Sequence, residues 1–269
     1  FPHMRADWEK EAVAWESFAE HWNDFYARKW FCGGAMWVFA DYGNKGTYRN
    51  MAMVDFWRLP MQSYFFFKAM WAREPVVHIC GHWDGPTVNG EMRKVVVFTN
   101  CETVDLSING KSAGPGDTTQ KRWPHLPHPP LTWEVPYKPG VLEARGTRDA
   151  NSVTDRRITS GRPNAVGLHA ENVEIQSDGQ DVAFLQVEII DADGHRCYTV
   201  SPDIKISVSG SATRCGPGTL KARGGLARFA VRSTGQAGNA QVRVTAPDVE
   251  PDCVTILAKE AVQDRNDEN

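Results

Sequence analysis

The residues best suited to chemistry or ligand binding lie in and just after a short apolar run, GGAMWVFADYG, at positions 33–43. Trp37 offers a flat apolar face for a sugar ring, while Asp41, Tyr42 and Asn44 offer groups that can hydrogen-bond hydroxyls. If the run is a strand of a barrel, its end and the following loop face the binding pocket. The pattern alone favours the competing interpretation, in which Trp37 is a core residue and Asp41 caps a turn.

Paired carboxylates would be a second source of chemistry, since acid–base catalysis at a glycosidic bond needs two acids held close together. The densest acids lie on a predicted helix, where we expect a solvated surface: Glu9, Glu11, Glu16 and Glu20. The remaining candidates lie in loops or strands without a marked partner: Glu74, Glu91, Glu102 and Glu134. The sequence therefore nominates no catalytic residue in this chain.

Metal and cofactor sites are weakly indicated. His78 and His82 in HICGH have the spacing of a helical zinc motif, but their segment reads as extended and lacks the adjacent Glu. The six cysteines form no C-x-x-C pair, so we expect buried free thiols. The sequence contains no P-loop, dinucleotide fingerprint or nucleophile elbow. We predict no metal and no cofactor.

The elements that would position Trp37 are a strand between two helices. Apolar residues at helical spacing predict a long amphipathic helix over 5–30. The run at 31–40 is short and apolar, as in a buried parallel strand, and a polar loop and a helix over 60–73 follow it. One such strand cannot cover its own apolar surface, so this piece is expected to need strand neighbours from elsewhere and to be truncated.

In the rest of the chain, apolar and polar residues alternate as they do in β-strands. Segments such as KVVVFTN, ETVDLSING and LTWEV predict an all-β module over 76–162, with Asn109-Gly110 as a turn. After Arg162-Pro163, DVAFLQVEIIDADG opens a second alternating series that indicates an immunoglobulin-like sandwich over 163–262. We therefore divide the chain into domains 1–75, 76–162 and 163–262, followed by a charged tail at 263–269.

Composition excludes several classes of partner. The net charge is −3 with scattered Lys and Arg, so no basic stripe indicates nucleic-acid binding. No apolar stretch is long enough to span a bilayer, so we expect no membrane partner. Seven of the ten tryptophans lie in the first 71 positions, and this shift in composition is itself a domain signal.

Four motifs follow one another along the chain: GGAMWVFADYG, MAMVDFWRLPMQSYFFFKAMW, PVVHICGHWDG and VVVFTNCETVDLSINGKSAG. Their order resembles glycoside hydrolase family 2, the β-galactosidase-like enzymes, in which a V-D-x-x-R-x-P segment precedes the last barrel helix. Here that segment is formed by Val54, Asp55, Arg58 and Pro60. SDGQDVAFLQVEIIDADG is similar to the family's terminal immunoglobulin-like domain. The resemblance covers nearly the whole chain.

The resemblance implies the end of a (β/α)8 TIM barrel followed by two antiparallel immunoglobulin-like β-sandwiches. It implies a retaining exo-β-glycosidase, with a β-galactosidase favoured, that removes terminal β-linked sugars from oligosaccharides or polysaccharides. The two catalytic Glu residues would lie on barrel strands four and seven, before Phe1, so we expect this chain alone to be inactive. The run 31–40 would be the eighth strand.

The resemblance also assigns the candidate site. Trp37 would pack against the sugar in the bond-cleaving subsite. Asp41, Tyr42 and Asn44 carry over loosely, because the loop after this strand varies among members. Met61 stands where many members have Lys, which leaves the sugar specificity open.

Two other interpretations remain open. A non-catalytic carbohydrate-binding or adhesion module would explain the all-β character of 76–260 but has no need of the helical start. Alternatively, the chain complements a separately encoded barrel, in which case residues 1–75 should expose an aromatic surface. Expected partners are thus a carbohydrate and the missing barrel portion or a complementing chain. The sequence leaves a homo-oligomer open as a further option. The location is not fixed, with the bacterial cytoplasm or periplasm favoured.

Overall fold

Helical periodicity in the first part of the chain produces the two predicted helices. In the computed structural model, α1 spans Asp7–Tyr26 and α2 spans Gln62–Trp71. The structure describes residues 7–41, 43–44, 47–48, 52–55, 57–85 and 90–260. The chain divides into two compact units, Phe1–Thr159 and Ser160–Asn269. Among the described residues, no helix has the length and apolar character needed to cross a membrane.

The predicted buried strand at 31–40 is not formed. Ala40 makes a parallel bridge to Val54, and within the described residues this is the one β pairing of the segment. None of its ten residues is buried. A strand needs hydrogen-bonded neighbours, and the sheets that the described residues form supply none for 31–39. Two short strands follow, β1 at Gly43–Asn44 and β2 at Thr47–Tyr48.

The β part of the first unit consists of two antiparallel four-stranded sheets. Its strands are β3 Val77–Ile79, β4 Met92–Thr99, β5 Thr103–Ile108, β6 Lys111–Ser112, β7 Asp117–Thr118, β8 Leu131–Pro136, β9 Val141–Arg148 and β10 Asn151–Ile158. The sheet orders are β3-β4-β8-β7 and β10-β9-β5-β6. Asn109 and Gly110 join β5 to β6 with φ of 51° and 76°, which confirms the predicted turn.

Strand β4 is apolar on both faces because it separates two cores. Val95 and Val97 face a core between the two sheets, together with Leu106 and Trp133. Val96 and Phe98 face the opposite way, toward α1 and α2. The second core joins the helices to the sheet, and its buried members are Trp15, Ala19, Phe66, Phe67, Ala69, Met70, Val76, Phe98, Trp123 and Leu126. The continuous apolar run KVVVF therefore reflects burial on both sides rather than alternation.

The second unit is a β-sandwich of nine strands in two sheets. The strands are β11 Ala165–Ala170, β12 Glu174–Gln176, β13 Val182–Ile190, β14 Asp203–Gly210, β15 Ala212–Cys215, β16 Thr219–Lys221, β17 Leu226–Ser233, β18 Gly238–Thr245 and β19 Asp252–Lys259. The sheet orders are β11-β13-β17-β15 and β12-β19-β18-β14-β16. All pairs are antiparallel except β12 with β19.

Alternation along β13 builds the core of this sandwich. Ala183, Leu185, Val187 and Ile189 are all buried, as the period-2 pattern predicts. The mostly β architecture with few helices confirms the predicted sandwiches. The expectation that the cysteines are buried is wrong for Cys32, Cys215 and Cys253, which are exposed. Cys215 in β15 and Cys253 in β19 occupy the exposed positions of the alternating burial pattern.

Candidate functional site

Trp37 projects from the surface of the first unit. Its side chain is 80% exposed, and Phe39 is 59% exposed. The neighbouring Met36 packs against the core that the two helices share. The peptide bond between Trp37 and Val38 is cis. The interpretation of Trp37 as a core residue is therefore wrong for this chain, and its indole is presented outward.

The backbone around Trp37 is attached to the segment that precedes α2. The carbonyl of Phe39 accepts hydrogen bonds from the amides of Met53 at 3.1 Å and Val54 at 3.0 Å. The amide of Asp41 donates to the carbonyl of Val54 at 2.9 Å. Residues 39–41 are thus held by a short parallel contact even without a full strand partner.

The V-D-x-x-R-x-P segment forms the tight turn that makes this contact possible. One carboxylate oxygen of Asp55 accepts hydrogen bonds from the amides of Trp57 and Leu59, each at 2.8 Å. Arg58 takes a left-handed conformation with φ of 68°. The amide of Met61 then donates to the carbonyl of Met53 at 2.9 Å, just before α2 begins. The motif has a structural role, since it fixes the chain that supports Phe39 and Asp41.

The other predicted site residues are only partly placed. Asp41 is buried, with 5% of its surface exposed. Tyr42 lies outside the described residues. The backbone of Asn44 pairs with Thr47, and its side chain lies outside the described part. The grouping of these residues with Trp37 into one sugar site stays a prediction.

Five large aromatic side chains of the first unit are exposed, and we refer to them together as the aromatic surface. Its members and their exposed fractions are Tyr26 46%, Trp30 75%, Trp37 80%, Phe39 59% and Trp71 52%. They come from the C-terminal ends of both helices and from the segment between them. All five lie within residues 1–75.

Ring contacts connect much of the aromatic surface to the core beneath it. The indole N–H of Trp71 donates to the hydroxyl of Tyr26 at 3.3 Å, and its ring stacks on Phe67 with centroids 4.6 Å apart. The ring of Phe31 stacks on Phe25 at 4.3 Å, next to Trp30. These contacts order the exposed rings without covering them.

A largely buried polar network joins α2 to β3 and β10. Nε2 of His78 is 2.9 Å from the amide oxygen of Gln62, and Nδ1 is 3.6 Å from a carboxylate oxygen of Asp155. Asp155 also accepts from Arg157 at 2.7 Å and from the amide of Ile79 at 2.7 Å. Burial, followed by the charges of Arg157 and Lys68, holds the pKa of His78 well below its ordinary value. The neutral form of His78 is therefore favoured, and its ring nitrogens face Gln62 and Asp155.

Two open cavities adjoin this region. One of about 240 Å³ is lined by Phe65, Lys68, Val77, His78 and Asp155, among others. The second, of about 380 Å³, lies along the HICGHWD segment. Its wall includes Arg93, whose guanidinium stacks on Tyr137 at 4.4 Å and donates to the carbonyl of Asp84 at 2.9 Å. The charge of Arg93 is thus engaged within the protein.

The second unit contains one group of metal-ligand types among the described residues, Asp191, Asp193 and His195. Asp191 is buried, and its carboxylate accepts from the amides of Gly161 at 2.6 Å, His195 at 2.8 Å and Asp193 at 3.0 Å. Burial alone would raise the pKa of Asp191, but these hydrogen bonds outweigh it and hold the pKa below its usual range. The carboxylate closes the DADGH turn, so the group is a structural turn.

Sequence reasoning missed two features that connect distant parts of the first unit. Glu16 and Glu20 reach solvent, as expected, but they also pair with Arg122 at 3.1 and 2.8 Å. The network of His78 and Asp155 likewise joins residues far apart in the chain. The sequence did contain a signal for the contact between this loop and α1. Trp123 lies inside the Pro-rich loop RWPHLPHPP, and a buried aromatic side chain anchors a loop to the surface beneath it.

Comparison with known families matches both β parts of the chain. Residues 166–255 match the model described as glycoside hydrolase family 2 C-terminal domain 5. Residues 90–154 match a domain of unknown function, DUF4982. Both matches fall on the strands described above, one in each unit.

Whole-chain similarity extends over the helical part as well. A β-glucuronidase from Formosa agariphila is 31% identical over 88% of this chain and 26% of its own length. The β-galactosidase BoGH2A from Bacteroides ovatus is 24% identical over 88% of this chain and 29% of its own length. A solved structure of a β-glucuronidase from glycoside hydrolase family 2 superposes with a TM-score of 0.81 at 28% identity, over 93% of this chain and 28% of that one.

These matches relate the chain to the glycoside hydrolases. The chain belongs to glycoside hydrolase family 2. It spans 26% and 29% of the lengths of the two curated relatives.

Proposed function

We propose that this chain forms the end of the catalytic barrel and the two following β-sandwich domains of a retaining exo-β-glycosidase. The barrel part is residues 1–75, and the sandwiches are 76–162 and 163–262. The catalytic Glu pair belongs to the remaining barrel portion, so this chain alone does not hydrolyse a glycoside. Family membership and the order of the motifs support the assignment.

The aromatic surface is the observation that carries this proposal. Soluble proteins rarely leave a large apolar patch uncovered, and such a patch marks a place where another surface packs. The surface comes from the two helices and the segment between them, which is where neighbouring barrel strands and helices would lie. The occupant is therefore the missing barrel portion, in the same polypeptide or as a complementing chain.

Trp37 is the proposed sugar-contacting residue. Its exposed indole presents the flat apolar face on which a pyranose ring stacks, and it lies two positions before the anchored residues 39–41. Asp41, Tyr42 and Asn44 are proposed to hydrogen-bond sugar hydroxyls from the loop that follows. The substrate is a terminal β-linked sugar, with a β-galactoside as the sequence-based preference. Relatives named β-glucuronidase and β-galactosidase make β-glucuronides the alternative to compare.

The test compares the activity of this chain with that of a longer protein from the same gene. The 269-residue chain should show no hydrolysis of nitrophenyl β-galactoside or β-glucuronide, whereas a protein of the same gene that includes a complete barrel should hydrolyse one of them. In that larger protein, Trp37→Ala should lower kcat/KM and Trp37→Phe, which keeps a flat ring, should retain more of it.

Hydrolysis by the isolated chain that disappears on replacing one of its own Glu residues would overturn the proposal. Polysaccharide binding without hydrolysis by any larger protein would favour the carbohydrate-binding module instead.

A further inference from the structure

The loop at 119–130, which we call the clamp loop, contacts helix α1 through charged groups. The guanidinium of Arg122 pairs with Glu16 at 3.1 Å and with Glu20 at 2.8 Å. The hydrogen bond with Glu20 raises the pKa of Arg122 above its ordinary value. The partners are separated by 106 and 102 positions in the chain, so this contact joins the sandwich to the helix.

The apolar side of the same contact is buried. Trp123 is 2% exposed and Leu126 is 3% exposed, and both belong to the core of α1 and α2. The ring of Trp123 meets that of Trp15 edge to face, with centroids 5.5 Å apart. Arg122 also stacks on Trp123 at 4.3 Å. The clamp loop thus places an aromatic anchor beside a pair of ionic contacts.

The contact extends to the last turn of the helix. The side-chain oxygen of Asn23 accepts a hydrogen bond from the amide of His125 at 2.9 Å. Glu16, Glu20 and Asn23 have the i, i+4, i+7 spacing that places them on one face of α1. The clamp loop therefore follows the helix over two turns.

Hydrogen bonds within the clamp loop join its two ends and restrict its conformation. The hydroxyl of Thr119 donates to the carbonyl of Pro130 at 2.7 Å, and its amide donates to the same oxygen at 3.1 Å. The side-chain amide of Gln120 donates to the carbonyl of Pro124 at 2.7 Å. Prolines also restrict the backbone, so little conformational freedom remains to be lost on contact with α1.

The end of α1 in turn fixes the chain that leads to Trp37. The carbonyl of Asn23 accepts from the amide of Ala27 at 3.1 Å, and Phe25 stacks on Phe31. Met36 then packs on the core of the helices. A shift of the last turn of α1 would therefore move the segment that presents Trp37.

We propose that Arg122 and the amide of His125 in the clamp loop are positioning groups, which hold the last two turns of α1 and thereby the segment that carries Trp37. The consequence for sugar turnover rests on the proposed function, whereas the hold on α1 does not.

Hydrogen–deuterium exchange on the full chain tests the hold on α1. Arg122→Ala should raise exchange in a peptide covering 14–26 about fivefold, the size expected from two partly exposed ion pairs. Arg122→Lys keeps a charge and should restore part of the protection. Asn23→Ala removes the acceptor for His125 and should act likewise, while Asn23→Asp keeps an acceptor oxygen and serves as its control.

Local specificity separates positioning from general stability. Peptides covering 62–71 in α2 and 182–190 in β13 should exchange as in the parent chain. Unchanged exchange in 14–26 for both alanine variants would overturn the proposal, as would an equal rise in α2, since that would indicate general destabilisation.

The effect on sugar turnover is tested in the larger protein with a complete barrel. There, Arg122→Ala should lower kcat/KM for a nitrophenyl β-glycoside, and Arg122→Lys should recover part of it. Unchanged kcat/KM in an active enzyme would overturn the link to Trp37. If no larger protein hydrolyses a glycoside, the proposed function fails, and the exchange experiment still decides whether the clamp loop holds α1.

Discussion

The imidazole of His78 lies face to face with the ring of Phe65, with centroids 3.7 Å apart and planes inclined by 4°. His78 belongs to β3 and Phe65 to α2, so the stack joins the sheet to the helix. Gln62, one turn before Phe65, hydrogen-bonds the same imidazole. The helical layer is therefore attached to the sandwich through a histidine whose pKa is held well below its ordinary value.

Acid is expected to destabilise the first unit through His78. Its pKa is lowered in the folded protein by burial and by the charges of Arg157 and Lys68, with Asp155 facing the other ring nitrogen. In the unfolded chain the pKa is about 6.5. As pH falls below that value the unfolded state binds the proton first, so stability decreases by up to about 1.4 kcal/mol per pH unit until the folded pKa is reached.

Urea unfolding at pH 7.5 and pH 5.5, followed by tryptophan fluorescence, measures this dependence. His78→Gln removes the titrating group and should flatten the pH dependence of the free energy of unfolding. Equal pH dependence in the two proteins would show that other groups are responsible.

Asn100 should be the most costly amide to remove from the first unit. It is buried, its side-chain N–H groups donate to the carbonyls of Ala72 at 3.0 Å and Glu74 at 2.9 Å, and its oxygen accepts from the amide of Val76 at 2.7 Å. Asn100→Ala removes the hydrogen-bond partner of three backbone groups in the chain between α2 and β3. We expect a loss of about 2–4 kcal/mol in the free energy of unfolding.

Chemical denaturation measures the loss, with Asn151→Ala as the control. Asn151 is exposed and donates one long hydrogen bond of 3.4 Å, so its removal should change stability by less than about 0.5 kcal/mol. Comparable losses in the two variants would contradict the assignment.

Asp191 is expected to stabilise the second unit through its turn and without a metal ion. Asp191→Ala leaves three backbone amides without their acceptor, at a cost of about 2–4 kcal/mol, whereas Asp193→Ala should cost much less. Because amides occupy the carboxylate of Asp191, millimolar Ca²⁺ should leave the melting temperature unchanged. Differential scanning calorimetry with and without Ca²⁺ checks both points, and a rise in melting temperature with Ca²⁺ would contradict the second.

Trp37 is expected to contribute little to the stability of this chain. Its side chain is largely exposed, so Trp37→Ala should change the free energy of unfolding by less than about 0.5 kcal/mol. Phe66→Ala removes a fully buried ring of the helical core and should cost about 3–5 kcal/mol. Urea unfolding of the two variants provides the comparison, and a large loss for Trp37→Ala would mean that its indole packs in solution.

Local sequence rules predicted most of the secondary structure. Period-2 alternation placed Ala183, Leu185, Val187 and Ile189 on the buried face of β13, because a strand presents successive side chains to opposite faces. Helical spacing placed Trp15 and Ala19 against the core for the corresponding reason. Both rules involve only residues near one another in the chain.

The segment at 31–40 shows where such rules stop. Its apolar pattern is that of a buried strand, but a strand forms only when neighbours accept and donate its hydrogen bonds. In this chain Phe39 and Asp41 find partners in Met53 and Val54, and Trp37 remains exposed. Whether the segment becomes a barrel strand depends on residues that are not its sequence neighbours.

The sequence by itself determined the family resemblance, the two helices and the alternating strands, since each is written in types and spacings along the chain. It left the role of Trp37 open between a core residue and a sugar contact. The tertiary structure alone decided that Arg122 pairs with Glu16 and Glu20 and that His78 lies between Phe65 and Asp155. These contacts join residues from 13 to 106 positions apart, brought together by burial of their elements on both faces of β4. Patterns among neighbouring residues do not specify which distant side chains come together when these elements are buried.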